Sequence, residues 1–184
     1  IAYGDIVRGQ DVSVVTRQIS YLADAICEAA LRYARATIES RFGSPMNAED
    51  QPAQMVILGL GKLGGEELNY SSDIDLIILY EHDRIEYTGK ASIQQFFVRC
   101  AHGLVRIMDE RTKDGYVFRT DLRLRPDPGS TPPAISTIAA ENYYEGAGQN
   151  WERAAMIKAR PVAGDTTAGD RFLDRLRPFI WRKN

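Results

Sequence analysis

Two aspartates separated by one isoleucine, Asp73-Ile74-Asp75, open a run that is otherwise Leu, Ile and Tyr as far as Tyr80. In a strand, alternate side chains share a face, so both carboxylates point the same way while Ile74, Leu76 and Ile78 enter a core. Two carboxylates side by side at the mouth of an apolar strand repel each other and lose hydration. A cation that neutralises both makes the arrangement cheap. Hard divalent ions with oxygen ligands suit it, Mg²⁺ above all and Mn²⁺ as the alternative. An isolated Asp-x-Asp is common in solvated turns. This one gains weight from the glycine-rich segment before it and the buried strand after it.

A third acid lies in the stretch Tyr116 to Arg125. Its alternation puts Phe118, Leu122 and Leu124 on a core face and Arg119, Asp121, Arg123 and Arg125 on the opposite one. A surface ladder of ion pairs accounts for such a pattern. The functional reading is that Asp121 completes a three-carboxylate site for two metal ions. The flanking arginines would then hold phosphate oxygens beside it, where a planar cationic fork fits well.

The glycines before the aspartates contain a decoy. Gly59-x-Gly61-x-x-Gly64 follows a strand and matches a dinucleotide-binding fingerprint, with Glu81 at a suitable distance. Only eight residues, Gly65 to Ser72, separate the last glycine from the next strand. A parallel crossover needs at least ~10–12 residues including its helix, so the spacing excludes the motif. A P-loop fails as well, because Leu63 follows Lys62 where Ser or Thr is required. What remains is a Gly64-Gly65 turn that lets backbone N–H groups approach phosphates, with both glycines able to take positive φ.

These residues need a scaffold, and the periodicity supplies one. Helical spacing from Ser13 to Phe42 (Val15, Ile19, Leu22, Ile26, Ala30, Tyr33, Ile38) predicts a long helix, capped by Asp11 or Ser13 and ended by Gly43. Gln54 to Leu58 and Asp73 to Tyr80 read as buried strands, Ser92 to Glu110 as an amphipathic helix, and Tyr116 to Leu124 as a third strand. Pro126 to Pro133 is a loop. Three short helices are expected near 136–146, 149–160 and 168–181, with Pro178 kinking or breaking the last. The fold class is α+β, a small mixed sheet with flanking helices and a helical extension. Residues 1–43 form a preceding helical segment, 44–134 the core and 135–184 the extension.

Composition narrows the function classes. Hydrophobic residues at 44% and charged residues at 26% describe a globular chain, and a net charge of −2 excludes a generally basic nucleic-acid binder. No apolar run approaches the roughly 18 residues of a membrane span, and no leader pattern is visible, so the cytoplasm is expected. Cys27 and Cys100 fall on apolar helix positions and read as buried reduced thiols. His82 and His102 have no partner at metal-ligand spacing. The chain starts at Ile1 and stops after a helical pattern, and it reads as a piece of a longer protein.

A glycine turn, Asp-hydrophobic-Asp and a third acid on a later strand together resemble the polymerase-β-like nucleotidyltransferase superfamily. The stretch from Gly61-Lys62-Leu63-Gly64-Gly65 through Asn69-Tyr70-Ser71-Ser72 to Asp73-Ile74-Asp75-Leu76 is similar to the glutamine synthetase adenylyltransferase/adenylyl-removing family. So are Asp114 to Arg119, Asp121 to Pro126, Trp151-Glu152-Arg153, Lys158-Ala159-Arg160 and Leu176 to Phe179; the Pro132-Pro133 pair departs from it. Family members carry two homologous halves. The Asn69 to Ser72, Gln149 to Arg153 and Arg177 to Phe179 stretches look like the amino-terminal half, which removes AMP.

The resemblance implies phosphorolysis of AMP-tyrosine on glutamine synthetase, releasing ADP. Asp73, Asp75 and Asp121 would hold two Mg²⁺ ions, and Gly64, Gly65, Ser72, Arg119, Arg123, Lys158 and Arg160 would bind phosphate or nucleotide. It implies as partners glutamine synthetase, ATP or ADP, inorganic phosphate, and the PII signal protein through the full-length enzyme. Neither nucleic acid nor membrane is implied. The alternatives are ATP-driven attachment of AMP and a catalytically silent domain of the same fold. For Trp151, Glu152, Arg153, Lys158 and Arg160, expected on one helix, a solvated face with a packed indole stands beside the nucleotide-contact reading. Tyr143 and Tyr144 read as core or interface residues.

Overall fold

The computed structural model describes residues 1–81 and 85–181, so His82 lies outside the described residues. At its centre β1 (Met55–Gly59) pairs antiparallel with β2 (Ile74–Tyr80), from Met55 opposite Tyr80 to Gly59 opposite Leu76. Both strands are unbroken apolar runs because both faces of the sheet are covered. Met55, Ile57, Leu76, Ile78 and Tyr80 face α2 (Val12–Phe42) and α4 (Ile93–Asp109). Val56, Leu58, Ile77 and Leu79 face α5 (Thr137–Gly146) and α7 (Thr166–Ile180). Among the described residues, no helix is long and apolar enough to cross a membrane.

Helix α2 follows a short α1 (Ala2–Ile6) and begins where expected, with the Asp11 carboxylate accepting from the Ser13 amide at 2.7 Å; Gly43 ends it at φ +77°. Its inward stripe is Val15, Ile19, Ala23, Cys27, Ala30 and Ala34, whereas Leu22 and Tyr33, expected inside, are 47% and 69% exposed. The smaller residues win because α4 comes close: a Cβ at Gly103 would lie 3.0 Å from the Cβ of Ala34. Ser92 and Gln95 form a reciprocal capping box at the start of α4.

Three sequence expectations are corrected. The strand over Tyr116 to Leu124 shrinks to β3 (Thr120–Asp121), parallel to β2, because the amides of Val117 and Phe118 both donate to the Met108 carbonyl at the end of α4. Phe118 and Leu122 then pack in one core and Leu124 in the other, so they share no common face. The expected helix over 149–160 stops early, as α6 (Asn150–Met156), and Arg160–Gly164 forms β5, antiparallel to β1. Pro161 disguises β5 in the sequence; it is tolerated because β5 is an edge strand, in the order β3-β2-β1-β5. Just after the proline loop, Ala134–Ser136 forms β4, parallel to the far end of β2. Helix α7 runs through Pro178, which sits in its last turn.

Candidate metal and phosphate site

The register of β2 and β3 sets Asp75 directly beside Asp121. Parallel neighbours in register share a face, and Asp73, two residues before Asp75, is on that face too. The start of the short β3 is held from two sides. The Ile74 amide donates to the Arg119 carbonyl at 2.9 Å, and the Thr120 amide donates to the Asp109 carboxylate at the end of α4 at 2.7 Å. The charges feel one another: burial pushes the Asp75 carboxyl above its usual range, and the Asp121 and Asp73 charges push it further.

Arginines answer two of the three carboxylates. Arg119 donates through Nε to Asp73 Oδ1 at 2.5 Å and through Nη2 to the Ser71 carbonyl at 2.9 Å. Arg123 reaches both oxygens of Asp121, from Nε at 3.0 and 2.9 Å and from Nη2 at 2.5 Å, while its amide donates to Oδ1 at 2.8 Å. Those bonds hold the Asp121 carboxyl below the usual range and raise Arg123. Among the described residues Asp75 enters no ion pair. As the side chains lie, no group of three His, Cys, Asp or Glu among the described residues is positioned to hold a metal ion. The donor set, three carboxylates on adjacent registers, fits a hard divalent ion in kind.

The glycines act differently from the expectation. The Gly64 and Gly65 amides donate to the Leu60 and Gly61 carbonyls, closing the single turn of α3 (Gly61–Gly64), so they are engaged within the chain. Neither has positive φ; Gly61 does, at +52°, and a Cβ there would stand 2.6 Å from Asp75 Oδ2. Gly64 is required for another reason, since a Cβ on it would collide with the Lys158 carbonyl. Gly61 is thus the glycine that lets backbone lie against the carboxylate. The Ser72 hydroxyl is engaged as well, donating to Asn69 Oδ1 at 2.7 Å in the turn that delivers Asp73.

Lys158 and Arg160 lie beside this glycine turn, off any helix, and each holds a carboxylate. Lys158 Nζ donates to Glu67 at 2.7 Å. Arg160 makes a two-pronged pair with Asp24 of α2 at 2.8 and 3.0 Å and donates to the Leu63 carbonyl at 3.2 Å. Arg125, expected on the face of Asp121, instead gathers the Leu122, Pro128 and Thr131 carbonyls and folds the proline loop. Tyr144 is buried against Phe179, and the Tyr143 hydroxyl donates to the buried Glu152 carboxylate, which also caps α6 by accepting from the Gln149 amide. Trp151 is half exposed. Sequence reasoning missed Asp24, Asp109 and Gly61. Only Gly61 carried a signal there, as the residue two past the strand end that faces Asp75.

Residues 1–175 match the model of a family described as glutamate-ammonia ligase adenylyltransferase. The chain is 49% identical over its full length to a bifunctional glutamine synthetase adenylyltransferase/adenylyl-removing enzyme of Mesorhizobium japonicum, and 50% identical to one of Rhodopseudomonas palustris. A relative of the same description from Rhizobium meliloti is 58% identical over 74% of the chain. The chain spans 19% of the length of the first two relatives and 14% of the third.

Proposed function

The chain belongs to the glutamate-ammonia ligase adenylyltransferase family, and on that premise we propose that it removes AMP from an adenylylated tyrosine of glutamine synthetase by phosphorolysis. The observation that carries the proposal is Asp75 in register with Asp121, Asp73 beside them, and two arginines on the same carboxylates. An oxygen of inorganic phosphate forms a bond to the adenylyl phosphorus as the bond to the tyrosine oxygen breaks. The products are ADP and the free tyrosine, which takes up a proton. Divalent ions on Asp73, Asp75 and Asp121 would stabilise charge on the entering and leaving oxygens.

The chain's own residues divide the rest. Arg119 and Arg123 carry the guanidinium forks that suit phosphate oxygens. Gly61, with no Cβ, leaves room for the Asp75 carboxylate against the backbone. Phosphate is already an anionic nucleophile at neutral pH, so no histidine base is required.

Incubation with adenylylated glutamine synthetase, phosphate and Mg²⁺ tests the proposal, with ADP as the expected product. Free AMP that forms independently of phosphate would mean hydrolysis. Modification seen only with ATP would make this the attaching activity, the other function in the relatives' names.

A further inference from the structure

Asp121 is 15% exposed, and the Arg123 side chain that covers it is 84% exposed. The guanidinium therefore stands on the solvent side of the carboxylate, bonded to both of its oxygens. Arg119 holds Asp73 in a similar way but keeps a second anchor, the Ser71 carbonyl. A carboxylate oxygen gripped by a guanidinium fork and one that ligates an ion are competing uses of the same lone pairs. Asp75, outside any ion pair among the described residues, is the carboxylate whose oxygens no guanidinium grips.

Resting on the functional reading above, we propose that a divalent ion and the two guanidinium groups compete for Asp73 and Asp121, and that the displaced guanidinium groups constitute the phosphate site. Ion and phosphate then bind as a coupled pair. The ion frees the forks, the forks take the phosphate, and by linkage phosphate tightens the ion by the same factor. The two arginines are unequal. Arg123, whose side-chain hydrogen bonds among the described residues all go to Asp121, makes the larger exchange, and Arg119, tethered to Ser71, the smaller. The physical consequence is an order of events: phosphate recruited before the ion meets arginines already neutralised by carboxylates, and binds poorly.

The test is Mn²⁺ binding to the chain, followed by electron paramagnetic resonance with and without inorganic phosphate. Without phosphate, Arg123→Gln should bind Mn²⁺ about two- to five-fold more tightly than wild type, the range expected from releasing an exposed ion pair. It should also lose most of the tightening that phosphate confers on wild type. Arg123→Lys, which keeps the charge and loses the fork, should fall between the two. Arg119→Gln should give a smaller gain. Unchanged or weaker Mn²⁺ binding by Arg123→Gln without phosphate overturns the exchange, and so does wild-type affinity in Arg123→Lys, which would leave only a diffuse charge effect. Those outcomes leave the nucleotidyl-transfer reading standing. Wild-type Mn²⁺ affinity in Asp75→Asn would instead remove the carboxylate site and that reading with it.

Discussion

At the scale of single residues, three glycines a few positions apart do three different things, and substitution should separate them. Gly61 has φ +52° and faces Asp75 Oδ2, so Gly61→Ala should cost about 1–2 kcal/mol from backbone strain and add a clash with the carboxylate. Gly64→Ala meets the Lys158 backbone, which cannot swing aside, and should cost at least as much. Gly65→Ala meets mainly the flexible end of the Lys158 side chain at φ −81°, and should stay within about 1 kcal/mol of wild type. Urea unfolding of the three variants checks the order, and a Gly65→Ala as damaging as Gly64→Ala would contradict it. The cysteines are a second residue-scale case. Burial pushes both the Cys27 and Cys100 thiols up to about 12, so neither forms thiolate near neutral pH. Iodoacetamide at pH 8 should leave both unmodified in the folded chain and label both in urea; rapid labelling of the native protein would show that α2 and α4 open locally.

Among the secondary-structure elements, the decisive joint is between α2 and β5. Arg160 links Asp24 to the glycine turn through the Leu63 carbonyl, and the Glu28 carboxylate accepts from the Gly164 amide at 2.8 Å. A long helix far from the aspartates in sequence is thereby fixed to the turn that precedes them. Removing Arg160 strands a half-buried carboxylate. Arg160→Ala should therefore cost about 2–3 kcal/mol, short of the ~3–5 kcal/mol of a fully buried pair. Asp24→Asn, which keeps one hydrogen-bond acceptor, should cost less. Chemical denaturation separates this clamp from the phosphate role expected for Arg160 in the sequence: weakened phosphate binding with unchanged stability would restore that role. Arg125, bonded to the Leu122 carbonyl and to two carbonyls of the proline loop, belongs with these positioning residues.

For the molecule as a whole, the site sets like charges side by side, a repulsion that a bound cation would relieve. Asp75 is held above its usual pKa by burial and by its two neighbours, so at neutral pH its charge opposes folding. Asp75→Asn removes that charge, and the variant should melt higher than wild type in chelator. Mg²⁺ or Mn²⁺ should raise the wild-type Tm, because an ion at about 100 times its Kd adds about 2.7 kcal/mol through linkage. For a chain of this size that corresponds to roughly 5–11 °C. The same ions should leave Asp75→Asn nearly unmoved. Differential scanning calorimetry with both ions checks both signs at once, and an equal shift in wild type and variant would locate the stabilising ion elsewhere.

Local patterns carried a good part of this in the sequence alone. The buried strands over β1 and β2, the long helix with its Asp11 cap and Gly43 stop, and the α+β class all follow from short-range periodicity and turn chemistry. The three acids were visible by type and spacing, and eight residues between Gly64 and Asp73 sufficed to exclude a dinucleotide crossover. Tertiary structure decided what each charge touches. Arg119, Arg123, Lys158 and Arg160 look alike in sequence, yet the first two meet the candidate site and the others clamp the glycine turn. Strands β3 and β5 were misjudged because a two-residue strand has no period to detect, and a proline-bearing edge strand exists only because β1 offers it a partner. Periodicity is a property of neighbours along the chain. The Lys158–Glu67 and Arg160–Asp24 pairs and the pairing of β5 on β1 join residues about a hundred positions apart, and only the folded packing selects them.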